Sequence, residues 1–103
     1  MDPDSPQDMA ALLKALGEAN RMSLVYELCD ANTPQNAMCL CSCCDVDASV
    51  VSRHLKVLAQ EGVVTSERKG REKTYALNRQ ELVRSLRALA DKIERTCHDE
   101  GRM

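Results

Sequence analysis

One boundary restricts the fold of this chain more than any other. Up to Gly62 the apolar residues recur every three to four positions; beyond it they alternate. Ala48 to Glu61 reads as a helix with Val51, Leu55 and Leu58 on its buried stripe, Asp47 at its N-cap and Gly62 in the position that closes helices. Val63-Val64-Thr65-Ser66-Glu67-Arg68 and Lys73-Thr74-Tyr75-Ala76-Leu77 then read as two strands. Lys69-Gly70-Arg71 lies between them, with Gly70 suited to the positive φ of a hairpin tip. From about Arg79 the helical period returns, with Leu82, Leu86, Leu89 and Ile93 at the spacing of a helix seam. The expectation is a mainly α fold carrying one β-hairpin, an α+β chain.

Upstream of the boundary the periodic segments are helical. From Asp8, the residues Met9, Leu12, Leu13 and Leu16 predict a first helix ending near Gly17. A second runs from about Asn20, its expected N-cap, to Cys29, with Met22, Val25, Leu28 and Cys29 inward. Residues 30–36 are turn formers with one proline, and Met38 to Cys44 is a short helix or irregular turn. A short helix, a tight turn, a second helix and a basic hairpin compose a winged helix-turn-helix, which presents its second helix to the major groove of DNA. Residues 8–97 form that domain, 1–7 a flexible N-terminal segment and 98–103 a flexible tail. The regular stripe on the last helix calls for a cover; a second copy of the chain is the expected one, and packing only on its own domain is the alternative.

Charge distribution agrees with an anion-binding face. The net charge of −2 says little. Residues 1–52, however, hold two bases against eight acids, whereas residues 53–95 hold eleven bases against six acids. On the Ala48 helix, Ser49, Ser52, Arg53 and Lys56 fall on or near the outer face, with His54 beside them. Arginine can donate two hydrogen bonds to guanine, small hydroxyls permit close approach to base edges, and Lys56 can hold phosphate. Arg68, Lys69 and Arg71, with Lys73 nearby, make the hairpin a wing over phosphates or a minor groove. Any one of these groups alone is ordinary solvated surface; the order and spacing together point to double-stranded DNA.

The cysteines carry the second signal. Four of six fall within six residues: Cys39, Cys41, Cys43 and Cys44. Neighbouring cysteines bridge poorly, and the acidic N-terminus lacks a basic-then-apolar export signal, so a cytoplasmic protein with reduced thiols is expected. The longest stretch free of charged residues, Ala31 to Cys44, is too polar for a membrane span. Clustered reduced thiols read as metal-binding or redox-active. Thiolates select thiophilic ions, arsenite and antimonite taking three in a pyramid. On an ideal helix Cys39 and Cys43 share one side and Cys41 and Cys44 another, so no three converge. Gathering three requires bending this segment, or borrowing Cys29 or a partner's thiol. Cys41, Cys43 and Cys44 are the first choice of ligands, with Cys39 next. Burial as four small hydrophobes is the bland alternative, and Cys97-His98 reads as a frayed tail.

Several runs also match a known family. Ala15-Leu16-Gly17-Glu18-Ala19-Asn20-Arg21-Met22-Ser23-Leu24-Val25 resembles the opening signature of ArsR/SmtB metalloregulatory repressors. Residues 49–64 resemble their recognition helix and first wing strand, and Gly70-Arg71-Glu72-Lys73-Thr74-Tyr75-Ala76-Leu77 their second wing strand. The resemblance covers roughly residues 9–95, departing at Glu18-Ala19-Asn20, where many members have Asp-Pro-Thr. It implies a homodimeric repressor, dimerised through its first and last helices, that leaves operator DNA when a metal or metalloid binds. It makes Ser49, Ser52, Arg53 and His54 the base readers. Cys39-Leu40-Cys41 is similar to the Cys-Val-Cys of arsenic and cadmium/lead members, and Cys43-Cys44 is an added vicinal pair. Vicinal thiols favour trivalent arsenic, so As(III) is the expected inducer. Sb(III), Cd(II), Pb(II), Hg(II) and Zn(II) are alternatives, and no organic cofactor is expected. Zinc-sensing members use His and carboxylates on the last helix, and Asn78-Arg79-Gln80-Glu81 lacks the expected Asp and His.

Two other readings remain open: a thiol redox sensor on the same scaffold, and a zinc-stabilised binding module with no switch. An enzyme is disfavoured, because no His/Asp set surrounds a nucleophile and no loop is long enough to form a pocket.

Overall fold

The structure is a computed structural model that describes residues 4–41 and 46–101, with side chains as far as residue 95. Its order is α1 (Pro6–Leu16), α2 (Ala19–Asp30), α3 (Ala37–Leu40), α4 (Ala48–Gln60), β1 (Val64–Lys69), β2 (Glu72–Leu77) and α5 (Arg79–Gly101). It is the mainly helical fold with a two-stranded antiparallel hairpin that the periodicity predicts.

Local chemistry sets the helix ends. α1 starts at Pro6, two residues before the expected Asp8, because Ser5 caps it: the Ser5 hydroxyl accepts from the Asp8 N–H at 3.3 Å, and proline fits the first helical turn. α2 is capped by Glu18 and not by Asn20, the Glu18 carboxylate accepting from the Arg21 N–H at 3.0 Å. α4 ends as expected. Gly62 takes φ +77°, Gly62 N–H donates to Ala59 O at 3.1 Å and Val63 N–H to Leu58 O at 2.9 Å. That pair of bonds is a Schellman closure, which delivers the chain straight into β1.

The hairpin pairs Val64 with Leu77 through to Lys69 with Glu72, leaving Gly70-Arg71 as a two-residue tip. Gly70 has φ +63°, the conformation only glycine adopts without strain. A pairing invisible in the sequence extends this sheet. Gln35 N–H donates to Tyr75 O at 2.9 Å and Tyr75 N–H to Gln35 O at 2.8 Å, which pins the segment before α3 to the wing.

The core is aliphatic. Leu12, Leu24, Val51, Leu55, Leu58 and Val63 are fully buried where α1, α2, α4 and β1 meet, with Leu40 of α3 beside them. Tyr75 is the only aromatic buried among the described residues. The stripe on α5 divides: Leu82 and Leu89 pack on this core, whereas Leu86 and Ile93 stay exposed. Cys29, expected to face inward, is exposed at the end of α2. No helix among the described residues is long and apolar enough to cross a membrane.

Candidate nucleic-acid interface and thiol cluster

α4 is a two-faced helix. Its back is Val51, Leu55 and Leu58, wedged into the core. At about 100° per residue, Ser49, Ser52, Arg53 and Lys56 share one arc of about 100° on the opposite side. Ser49, Arg53 and Lys56 are exposed and Ser52 is half-buried. Asp47 takes the N-cap position with extended backbone, as expected, but its carboxylate makes no capping hydrogen bond.

His54 lies apart from that arc. Its side chain is only 17% exposed and is turned to the corner between α1 and α2. The ring Nε2 stands 3.7 Å from Glu18 Oε2, and Nδ1 stands 3.4 Å from Arg21 Nη1. Desolvation pushes the Glu18 carboxyl up. The backbone N–H groups of Arg21 and Asn20, with the charges of His54 and Arg21, outweigh it and hold Glu18 below the usual carboxylate range.

The wing carries exposed charge. Arg68, Lys69 and Arg71 are all exposed at or beside the tip. Lys69 has a loose partner, Glu67 at 3.8 Å, with both side chains in solvent, an ion pair that costs little to break. Lys73 is used differently: its Nζ lies 5.7 Å from the Tyr75 ring centroid, a cation–π distance.

α3 and its C-cap carry two of the four clustered thiols, Cys39 within the helix and Cys41 just past its end. Asn36 caps it, accepting from the Cys39 N–H at 2.8 Å. Leu40 is the buried anchor. Cys39 is exposed, whereas Cys41 is half-buried and its thiol donates to Ala37 O at 3.3 Å. Two residues apart on a helix, these thiols point about 200° apart. Among the described residues no three His, Cys, Asp or Glu side chains are grouped to hold a metal ion. The pair Cys39 and Cys41 therefore does not make a three-thiolate site by itself. Cys43 and Cys44, and the side chains of Cys97 and His98, lie outside the described residues.

Three tethers leave little trace in the sequence because each is made by a group outside the element it ties down. One is the Gln35–Tyr75 bridge. Another is Arg79, whose Nη2 donates to Leu28 O at 3.1 Å and Cys29 O at 2.9 Å, closing the end of α2. Arg21 is the third: its Nε donates to Ala15 O at 2.6 Å, capping α1. A basic residue following a helix end is the only local signal for such caps, and it is a weak one.

No family model matches the chain. The arsenical resistance operon repressor of Bacillus subtilis (strain 168) is 35% identical over 72 residues, covering 67% of this chain and 65% of that protein. The HTH-type transcriptional repressor SmtB of Mycobacterium tuberculosis (strain H37Rv) is 39% identical over 66 residues, covering 64% of this chain and 47% of that protein. The chain thus spans under two thirds of one curated relative and about half of the other. A crystal structure of a possible transcriptional regulator for arsenical resistance superposes with a TM-score of 0.68 at 32% identity, over 85% of this chain and 94% of that one. The chain belongs to the ArsR/SmtB family. Its fold is the winged helix-turn-helix of ArsR-like regulators, in which α3 and α4 form the helix-turn-helix and β1–β2 the wing.

Proposed function

We propose that this ArsR/SmtB-family chain is a DNA-binding transcriptional repressor, not an enzyme, and that a thiophilic metalloid releases it from its operator. As(III) is the first-ranked inducer. One observation carries the reading. Cys41, the C-cap of the helix bearing Cys39, lies six residues before Asp47, the N-cap of the helix bearing Ser49, Ser52, Arg53 and Lys56. Drawing thiols together on that short segment strains the connection into α4, so ligation and DNA docking compete. The family and the relatives named for arsenical resistance support both halves of the reading.

In this reading Ser49, Ser52 and Arg53 read base edges, while Lys56, Arg68, Lys69 and Arg71 hold phosphates. The described thiols do not complete an inducer site, so Cys43 and Cys44 join Cys41 or Cys39 as ligands. Two subunits bind two half-sites about one helical turn apart.

The test uses DNA that the protein selects from a random-sequence pool, with full reductant present. Arsenite is expected to weaken binding by about two orders of magnitude or more. Cys43→Ser and Cys44→Ser should resist it while binding DNA normally. If both variants let go as readily as the parent, the ligand assignment fails. Release by Sb(III), Cd(II), Pb(II), Hg(II) or Zn(II) but not by arsenite reassigns the inducer. Release by oxidant alone transfers the switch to thiol redox chemistry.

A further inference from the structure

Nothing in the outer arc of α4 explains why His54 is turned inward. Apolar packing along Val51, Leu55 and Leu58 holds α4 on the core, but such packing has no direction and tolerates small rotations and slides. A helix that reads base edges needs its side chains placed within about 0.5 Å. Directional polar interactions with a rigid neighbour supply that placement, and the corner between α1 and α2 is such a neighbour.

That corner is rigid for reasons of its own. Arg21 Nε donates to Ala15 O at 2.6 Å and Nη2 to Lys14 O at 3.4 Å, so one guanidinium closes α1. The Glu18 carboxylate caps the first turn of α2 through the Arg21 N–H at 3.0 Å. The same two side chains then face the two nitrogens of His54, at 3.4 Å and 3.7 Å.

Resting on the reading of α4 as a DNA-reading helix, we infer that His54 is a positioning residue: it fixes the register of α4 against Glu18 and Arg21 and does not itself read bases. The geometry also specifies the proton of the neutral ring. Arg21 can only donate, so Nδ1 accepts, and the hydrogen sits on Nε2, directed at Glu18 Oε2. Turned to this corner, the ring is withdrawn from the arc of Ser49, Ser52, Arg53 and Lys56.

The test separates register from base reading. Glutamine at this position can accept from Arg21 and donate to Glu18, whereas alanine can do neither. His54→Gln should bind the selected DNA within about threefold of the parent. His54→Ala should lose about tenfold, the worth of one or two hydrogen bonds, on every single-base variant of that DNA alike. Imidazole nitrogen shifts of the full-length parent, recorded without DNA, should report hydrogen on Nε2 in the neutral ring. Altered preference at one base position in either variant overturns the inference. So does undiminished binding by His54→Ala, or hydrogen on Nδ1. Should His54→Ala fail to fold, the glutamine variant and the nitrogen shifts still decide. A parent that selects no DNA sinks the repressor reading instead, leaving the tie itself to be judged by the nitrogen shifts.

Discussion

Glu18 does three things with one carboxylate. It caps α2, faces His54 of α4 and lies beside the Arg21 guanidinium. Asparagine is the better N-cap by preference, which is why Asn20 looks like the start of α2 in the sequence. The cap moves to Glu18 because its longer side chain reaches the Arg21 N–H and meets two basic groups that no local pattern displays. The titration of Glu18 follows from this. Its folded pKa is lowered from the ordinary 4.5, so its stabilising contribution is complete above that value and fades as pH falls through the folded value. Glu81 acts in the same direction, its carboxylate held low chiefly by the Arg84 hydrogen bond at 2.6 Å. Melting temperature should therefore drop between about pH 5 and pH 3, by linkage over the ordinary carboxylate range. Glu18→Gln, which can still cap, should show a shallower drop and Glu18→Gln with Glu81→Gln a shallower one still. Equal slopes in parent and double variant would show that neither carboxylate couples to folding.

Elements were legible where periodicity and punctuation coincide. Gly62 and Gly70 marked the end of α4 and the tip of the wing, and both adopt positive φ. The strands run one residue further toward the tip than their alternation suggests, because Lys69 and Glu72 pair despite their polarity. The bridge to Gln35 was not legible, since backbone pairing between segments forty residues apart leaves no trace in side-chain pattern. Nor was the inward turn of His54, which depends on a corner more than thirty residues upstream. The wing yields a prediction of its own. Arg68, Lys69 and Arg71 are exposed, so replacing all three by alanine removes charge without touching the core. Affinity for selected DNA should fall on all sequences equally, and the slope of log affinity against log salt should flatten by about 0.9 for each phosphate no longer neutralised. An unchanged slope would mean that the wing does not meet phosphate.

The whole chain is elongated, 58 × 26 × 24 Å with a radius of gyration of 15.8 Å. A compact domain of this length has a radius near about 13 Å. The excess belongs to α5, whose 23 residues would extend about 34 Å at 1.5 Å per residue. Its inner face is anchored by Leu82 and Leu89, with Ser85 fully buried between them and small enough to let the helix lie close. Val83 at 47%, Leu86 at 37% and Ile93 at 60% exposure remain uncovered on the same helix. A small domain with so few aromatic residues can ill spare apolar area to water, and burying each such side chain is worth about 1.5–3 kcal/mol. A second copy of α5 would cover them and would place two copies of α4 on one duplex. The chain should therefore sediment at about twice its 11.4 kDa mass. Leu86→Glu with Ile93→Glu should yield a folded monomer, because neither residue is part of the buried core. Loss of the paired half-sites should then cost about 10²-fold or more in affinity for the selected DNA, the usual gain from linking two binding modules, while the helical circular dichroism of each domain is kept. A parent that sediments as a monomer, or a double variant that remains dimeric, would place the dimer elsewhere or abolish it. In the first case the exposed stripe on α5 would have to meet a different protein.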